Sequence, residues 1–180
     1  GVAYTTTASF DDPSSDLRIW QIDGTFPASA PLYRATTEEG RPLVVFGRGN
    51  LRGAEVRING TGALRGWQWA NGDGRLRWGA NRVETYTNLE KVYGTADRTL
   101  LYANFNNGTD VDANVRTNEA HTAGGDSSSP VFIDDGTGWK LAGVVYAVTC
   151  CFSTAAGGAT FNASIFDMRG LYLNRTLVSW

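Results

Sequence analysis

Apolar residues in this chain come in short alternating runs closed off by glycine, and no stripe at three- and four-residue spacing lasts the length of a helix. Side chains two positions apart share one face of a strand, whereas a helix needs the longer period, so this pattern selects strands. Twenty-two glycines in 180 residues supply the turns. Residues 17–22 (Leu-Arg-Ile-Trp-Gln-Ile) alternate cleanly and stop at Asp23-Gly24. Residues 42–47 read as a buried strand closing on Gly47. Residues 67–70 and 75–78 read as the arms of a hairpin around Asn71-Gly72-Asp73-Gly74. Residues 82–86, 99–105, 130–133 and 139–147 complete the obvious strands, and 163–173 is the one candidate helix. The expected class is antiparallel all-β.

Composition narrows the partners. With 42% hydrophobic and 19% charged residues, the chain can bury one sizeable core or two small ones. The net charge is −2 and the sixteen basic residues are scattered, so no electrostatic footprint for nucleic acid is expected. No apolar run approaches the roughly 20 residues of a membrane span, so no membrane partner is expected either. The first residue is Gly1, with no initiator Met and no basic-then-apolar leader, which suggests a processed or excised piece.

Cys150 and Cys151 are adjacent and cannot staple distant strands. Two half-buried thiols are the expected state, with a vicinal bridge or a bond to another chain as the alternatives. No histidine or third cysteine stands near them, so no zinc site is expected. The sequons at Asn59, Asn107, Asn162 and Asn174 read as loops first and glycan sites second. Oxygen-rich residues 106–112, with Asp110 and Asp112, lack the spacing of a known calcium loop. They read as a solvated turn, with structural calcium the weaker alternative and no other cofactor expected.

Chemistry concentrates in Gly124-Gly125-Asp126-Ser127-Ser128-Ser129-Pro130-Val131. Glycine lets a backbone turn tightly with its N–H groups facing a cleft. A serine at the tip of such a turn suits nucleophilic attack, and the N–H groups of Gly125 and Ser127 would face a developing oxyanion. The single histidine, His121, lies only six residues before Ser127.

Three further segments place this run in context. Ser15-Asp16-Leu17-Arg18-Ile19 is a carboxylate followed by an alternating strand, Val45-Phe46-Gly47-Arg48-Gly49-Asn50 is a strand ending in a glycine turn, and Leu141-Ala142-Gly143-Val144-Val145-Tyr146 is an apolar strand after the serine. Together they make the chain resemble the trypsin-like (chymotrypsin-fold) serine proteases. The surroundings of Trp78-Gly79 and Gly157-Gly158 are similar to those of the bacterial extracellular branch. Order and spacing agree, with Asp16 standing 111 residues before Ser127 and 53 residues following it.

The resemblance implies a double antiparallel β-barrel whose first barrel is incomplete here. Residues 1–42 would be its remnant and the inter-barrel linker, and 43–180 the second barrel and tail. It implies Ser127 as nucleophile and Asp16 as the carboxylate that orients the catalytic histidine, with Asp11 and Asp12 close enough to compete and an N-cap or turn role as the bland alternative. Gly125 and Ser127 would supply the oxyanion hole. Asp126 would be the buried aspartate whose salt bridge locks the cleft. His121 and Thr122 would floor the specificity pocket, and Tyr146, Ala147 and Val148 would line one wall, narrowing it against large basic side chains. A plain surface-loop histidine is the alternative for His121. As a pocket floor it would be partly cationic at mildly acid pH, favouring acidic or polar side chains.

Two features depart from the family. Ser128 stands where glycine is usual, and the segment that would carry the catalytic histidine lies upstream of Asp16. The implied function is therefore a secreted, extracellular or periplasmic serine endopeptidase, present as the C-terminal fragment of a processed precursor and completed by the N-terminal fragment. Its substrate would be a polypeptide or an ester. The alternatives are a catalytically silent binding module on the same fold, or an esterase.

Overall fold

The computed structural model describes residues 2–13, 17–60, 62–88, 99–106 and 118–178. Among these residues the chain is built of strands joined by turns, with one short 3₁₀ turn at Ile58–Gly60 and no α-helix. The first strands are β1 (Thr6–Asp11), β2 (Arg18–Ile22), β3 (Pro42–Gly47), β4 (Leu51–Arg57), β5 (Leu64–Ala70), β6 (Arg77–Arg82) and β7 (Thr85–Asn88). There follow β8 (Thr99–Tyr102), β9 (Pro130–Asp134), β10 (Trp139–Val144), β11 (Ala147–Ser153), β12 (Ala163–Ile165) and β13 (Tyr172–Val178). They form antiparallel sheets in the orders β1-β2, β10-β9-β3-β6, β12-β5-β4, β7-β8 and β11-β13, and among the described residues none closes into a barrel. No helix among them is long and apolar enough to cross a membrane.

The four-stranded sheet shows how the sequence builds its core. In β3 the alternate residues Leu43 and Val45 are buried, as strand geometry requires of one face. Leu43 pairs with Asn81 of β6 and with Ile133 of β9. Leu43, Val83 and Ile133 form one apolar cluster, with Tyr33 and Val131 packed against it. A second cluster joins Val56, Phe152, Ala163 and Leu171. Full burial of such side chains contributes about 1.5–3 kcal/mol each.

Several expectations change on contact with the fold. The strands at 67–70 and 75–78 exist, but they are not a hairpin: β5 pairs with β4 and β12, and β6 pairs with β3. Both edges of β5 are occupied, so residues 71–76 become a connection between sheets. Asp73 organises that connection by accepting from the Arg75 main chain (3.0 Å) and from the Arg77 guanidinium (2.7 and 2.9 Å). The expected strand 82–86 breaks where buried Val83 bonds to the 40–41 segment. The expected strand 99–105 stops at Tyr102.

The candidate helix at 163–173 is not one. Ala163, fully buried, pairs with Gln68 in β12, and Asp167 is held by Arg65 and Arg169 in a turn before Leu171 enters the second cluster. Pairing and burial override the local pattern. Cys150 and Cys151 are joined in a vicinal disulfide on β11, both buried, where two thiols were the first expectation. Asn59 and Asn162 are exposed outside strands, Asn174 lies within β13, and Asn107 is outside the described residues.

The β1–β2 hairpin is the exception to the burial pattern. It forms by register, Phe10 opposite Ile19 and Asp11 opposite Arg18, with an ion pair between the latter two. Yet Phe10, Ile19 and Trp20 are 58%, 61% and 58% exposed. The chain rejoins the sheets only at residues 31–33, where Pro31 and Tyr33 exchange main-chain hydrogen bonds with Leu141 of β10.

Candidate functional site

Residues 123–129 make two tight turns in succession. The Asp126 N–H donates to the Ala123 carbonyl and the Ser129 N–H to the Asp126 carbonyl, both at 3.1 Å. The third residue of each turn lies in the left-handed region, Gly125 at φ 92° and Ser128 at φ 60°. That is the demand of a type II turn, which glycine meets without strain and serine does not.

Asp126 fastens the double turn from behind. Its carboxylate accepts from the N–H of Gly49 (2.7 Å) and of Ala123 (2.9 Å). Glycine at 47 and 49 makes room for it: a Cβ on Gly49 would lie 2.7 Å from the carboxylate carbon, and one on Gly47 would overlap the same group. The Asn50 N–H also donates to the Gly124 carbonyl (2.9 Å). On the following side, Ser128 N–H donates to the Val145 carbonyl (3.0 Å) and Val145 N–H to the Ser129 carbonyl (2.9 Å). Those two bonds account for the break in the expected strand 139–147, because Val145 is spent on the serine turn instead of continuing β10. Between these anchors, the N–H groups of Gly125 and Ser127 donate to no partner among the described residues, and the partly exposed Ser127 hydroxyl is likewise unbonded.

A cavity of about 330 Å³ opens beside this turn. Ala123 and Asp126 line it from the turn, Gly47 to Arg52 from the β3–β4 connection, and Trp67 and Trp69 from β5. The two tryptophans share a face because they are two residues apart on a strand. His121 lies in the same wall. Its Nδ1 is 3.0 Å from Ser164 Oγ, which also accepts from Trp69 Nε1 at 3.0 Å, and its ring packs on Phe105. Burial pulls the imidazole pKa down from 6.5 to about 4, against smaller opposing pulls from the Thr122 main chain and the Asp126 charge. His121 is therefore neutral at mildly acid pH, and the partly cationic floor expected of it does not form.

The structure divides the expected site residues. Gly125, Asp126 and Ser127 sit in one turn, with Asp126 held by two main-chain N–H groups where a salt bridge was expected. His121 and Thr122 line the cavity, whereas Tyr146, Ala147 and Val148 and Ser127 do not. Tyr146 to Val148 instead follow directly on the Val145 bonds to the serine turn, and Val148 is buried. Asp16, Asp110 and Asp112 lie outside the described residues, while Asp11 is engaged by Arg18. The sequence reading missed Arg48, Arg52, Trp67, Trp69 and Ser164 as cavity residues. The two-residue spacing of the tryptophans was the available signal.

Comparison of the chain with protein-family models, with curated proteins and with solved structures found no match.

Proposed function

We propose that the chain is the serine-bearing part of a secreted serine endopeptidase of chymotrypsin-like double-barrel build. The observation that carries this reading is the Ser127 turn: a partly exposed hydroxyl flanked by two N–H groups that donate to no partner among the described residues, clamped by Asp126 and by Val145. Preorganised N–H donors of this kind stabilise the oxyanion of acyl transfer without reorganising at the moment of reaction. Ser127 Oγ would attack the carbonyl carbon as its proton passes to a base. The C–N bond would then break with return of that proton to the departing amine, and water would release the acyl group by the same route.

The base is the histidine of a companion segment, oriented by Asp16, since His121 is committed to Ser164 and no base touches the Ser127 hydroxyl among the described residues. The exposed apolar faces of the β1–β2 hairpin, with Phe26 and Leu32 beyond it, support such a companion. A two-stranded sheet is marginal in water by itself, and further strands of a first barrel would cover both its face and its edges.

That no base touches Ser127 among the described residues favours one alternative, a protease fold that binds peptide without cutting it. A weakened base would also spare activated esters longest, because they do not need a protonated leaving group. Intact mass after treatment with a fluorophosphonate separates these readings. A single adduct mapping to Ser127, absent from Ser127→Ala, with a histidine-bearing second polypeptide in the sample, is the expected result. No adduct would overturn the hydrolase reading and leave the silent module.

A further inference from the structure

The cavity beside the serine turn carries a charge pattern that the hydrolase reading does not use. Its walls hold four guanidinium groups, Arg48, Arg52, Arg75 and Arg77, against the carboxylates of Glu119 and Asp126. Arg77 is neutralised by two bonds to Asp73, and Arg75 lies 3.8 Å from the same carboxylate. Asp126 is spent on the N–H groups of Gly49 and Ala123, and Glu119 accepts from Asn106 N–H. Among the described residues Arg48 donates only to the neutral Gly74 carbonyl, and Arg52 lies over the Trp67 ring at 4.5 Å. Neither has a carboxylate partner among the described residues. His121, neutral, adds no charge.

Stacking uses the face of a guanidinium and leaves its edge, a fork of N–H donors matched to a carboxylate, turned outward. The Trp69 ring supplies a flat apolar wall for the rest of a ligand, while Trp67 backs the Arg52 guanidinium, and the volume falls in the range of small-ligand sites. Glu119 and Asp126 in the same wall disfavour a dianion such as phosphate, so a single negative charge fits best.

We propose that this cavity binds a carboxylate-bearing peptide through Arg52 and Arg48, at a site separate from Ser127. The carboxylate comes either from an acidic side chain or from a chain end. Titration calorimetry with three short peptides tests this on the full chain: a capped Ala-Ala-Glu-Ala, the same peptide with Gln, and the Gln peptide with a free C-terminal carboxylate. Binding of the first alone supports the side-chain source, and binding of the third but not the capped Gln peptide supports the chain end. Equal binding of the capped Gln peptide, or no binding of any peptide at millimolar concentration, overturns the proposal.

Arg52→Gln and Arg48→Gln should each weaken binding about ten-fold or more, and added salt should weaken it further. Both arginines are exposed, so unchanged far-ultraviolet circular dichroism is expected of the variants. Ser127→Ala should bind as the parent does, and loss of binding in that variant would sink the separate site. Fluorophosphonate labelling of the same preparation reports on the hydrolase independently. Labelling without peptide binding removes only the cavity proposal, and binding without labelling removes only the hydrolase.

Discussion

The β1–β2 hairpin and the sheet that carries the serine turn obey the same period-two pattern and reach opposite ends. In the hairpin, Phe10, Ile19 and Trp20 face outward, and the strands hold chiefly to each other. In the four-stranded sheet, Leu43 and Val45 alternate along β3 and are buried, Leu43 packs with Val83 and with its partner Ile133 on β9, and Ile133 is fully buried. Alternation specifies that a strand has two unlike faces. Only a second layer decides whether the apolar one is covered.

Paired substitutions would break or sharpen that contrast. Ile133→Ala removes a fully buried side chain and should cost about 2–5 kcal/mol, whereas Ile19→Ala, in this chain separated from any companion segment, should stay within about 0.5 kcal/mol, both read from urea denaturation midpoints. An equal loss at the two positions would show that the hairpin's face is covered in solution. Asp126→Ala removes two charge-assisted bonds to Gly49 and Ala123 and should cost about 2–4 kcal/mol. It should also abolish fluorophosphonate labelling of Ser127. Retained labelling would mean the turn does not depend on its clamp.

Acid should distinguish the two regions as well. The folded-state pKa of His121, about 4, lies below its unfolded value of 6.5, so the unfolded chain binds the extra proton across that interval. The contribution is complete above pH 6.5 and is lost as pH falls toward 4, by at most about 3 kcal/mol. His121→Gln should flatten that part of a stability-against-pH curve, and an unchanged slope would place the dependence elsewhere. The smallest effect is expected at Ser128, whose φ of 60° favours glycine. Ser128→Gly should stabilise by about 0.5–1 kcal/mol in thermal unfolding, and destabilisation would show that the side chain is itself needed there.

Much of the strand content was legible from local pattern, and the partners were not. Residues 42–47 read correctly as a buried strand because period, length and a terminal glycine agree at one place. The segment 67–78 misled because a glycine-rich turn between apolar arms has the same local signature whether the arms pair with each other or with β3, β4 and β12. At 163–173, Ala163 and Leu171 are core residues of strands and turns whose spacing also suits a helix. In the site, the Gly-Asp-Ser run announced the turn, since glycine and aspartate there have a conformational and a bonding role respectively. The cavity was hidden because Arg48, Arg52, Trp67, Trp69 and Arg77 lie on segments that pair with different strands and meet His121 and Ser164 only once the sheets assemble, and because nothing local shows that burial would discharge His121.

The bond between Cys150 and Cys151 is unlike an ordinary cross-link. A bridge between distant residues shrinks the unfolded ensemble by closing a long loop, and a bridge between neighbours closes only the small ring of the two residues themselves. Its sulfurs sit on adjoining residues, so a local turn of the backbone between them, without tertiary structure, is enough to bring them together for oxidation. A thiol count of zero therefore records exposure to an oxidant, and it would read the same on a correctly assembled molecule and on an unfolded one.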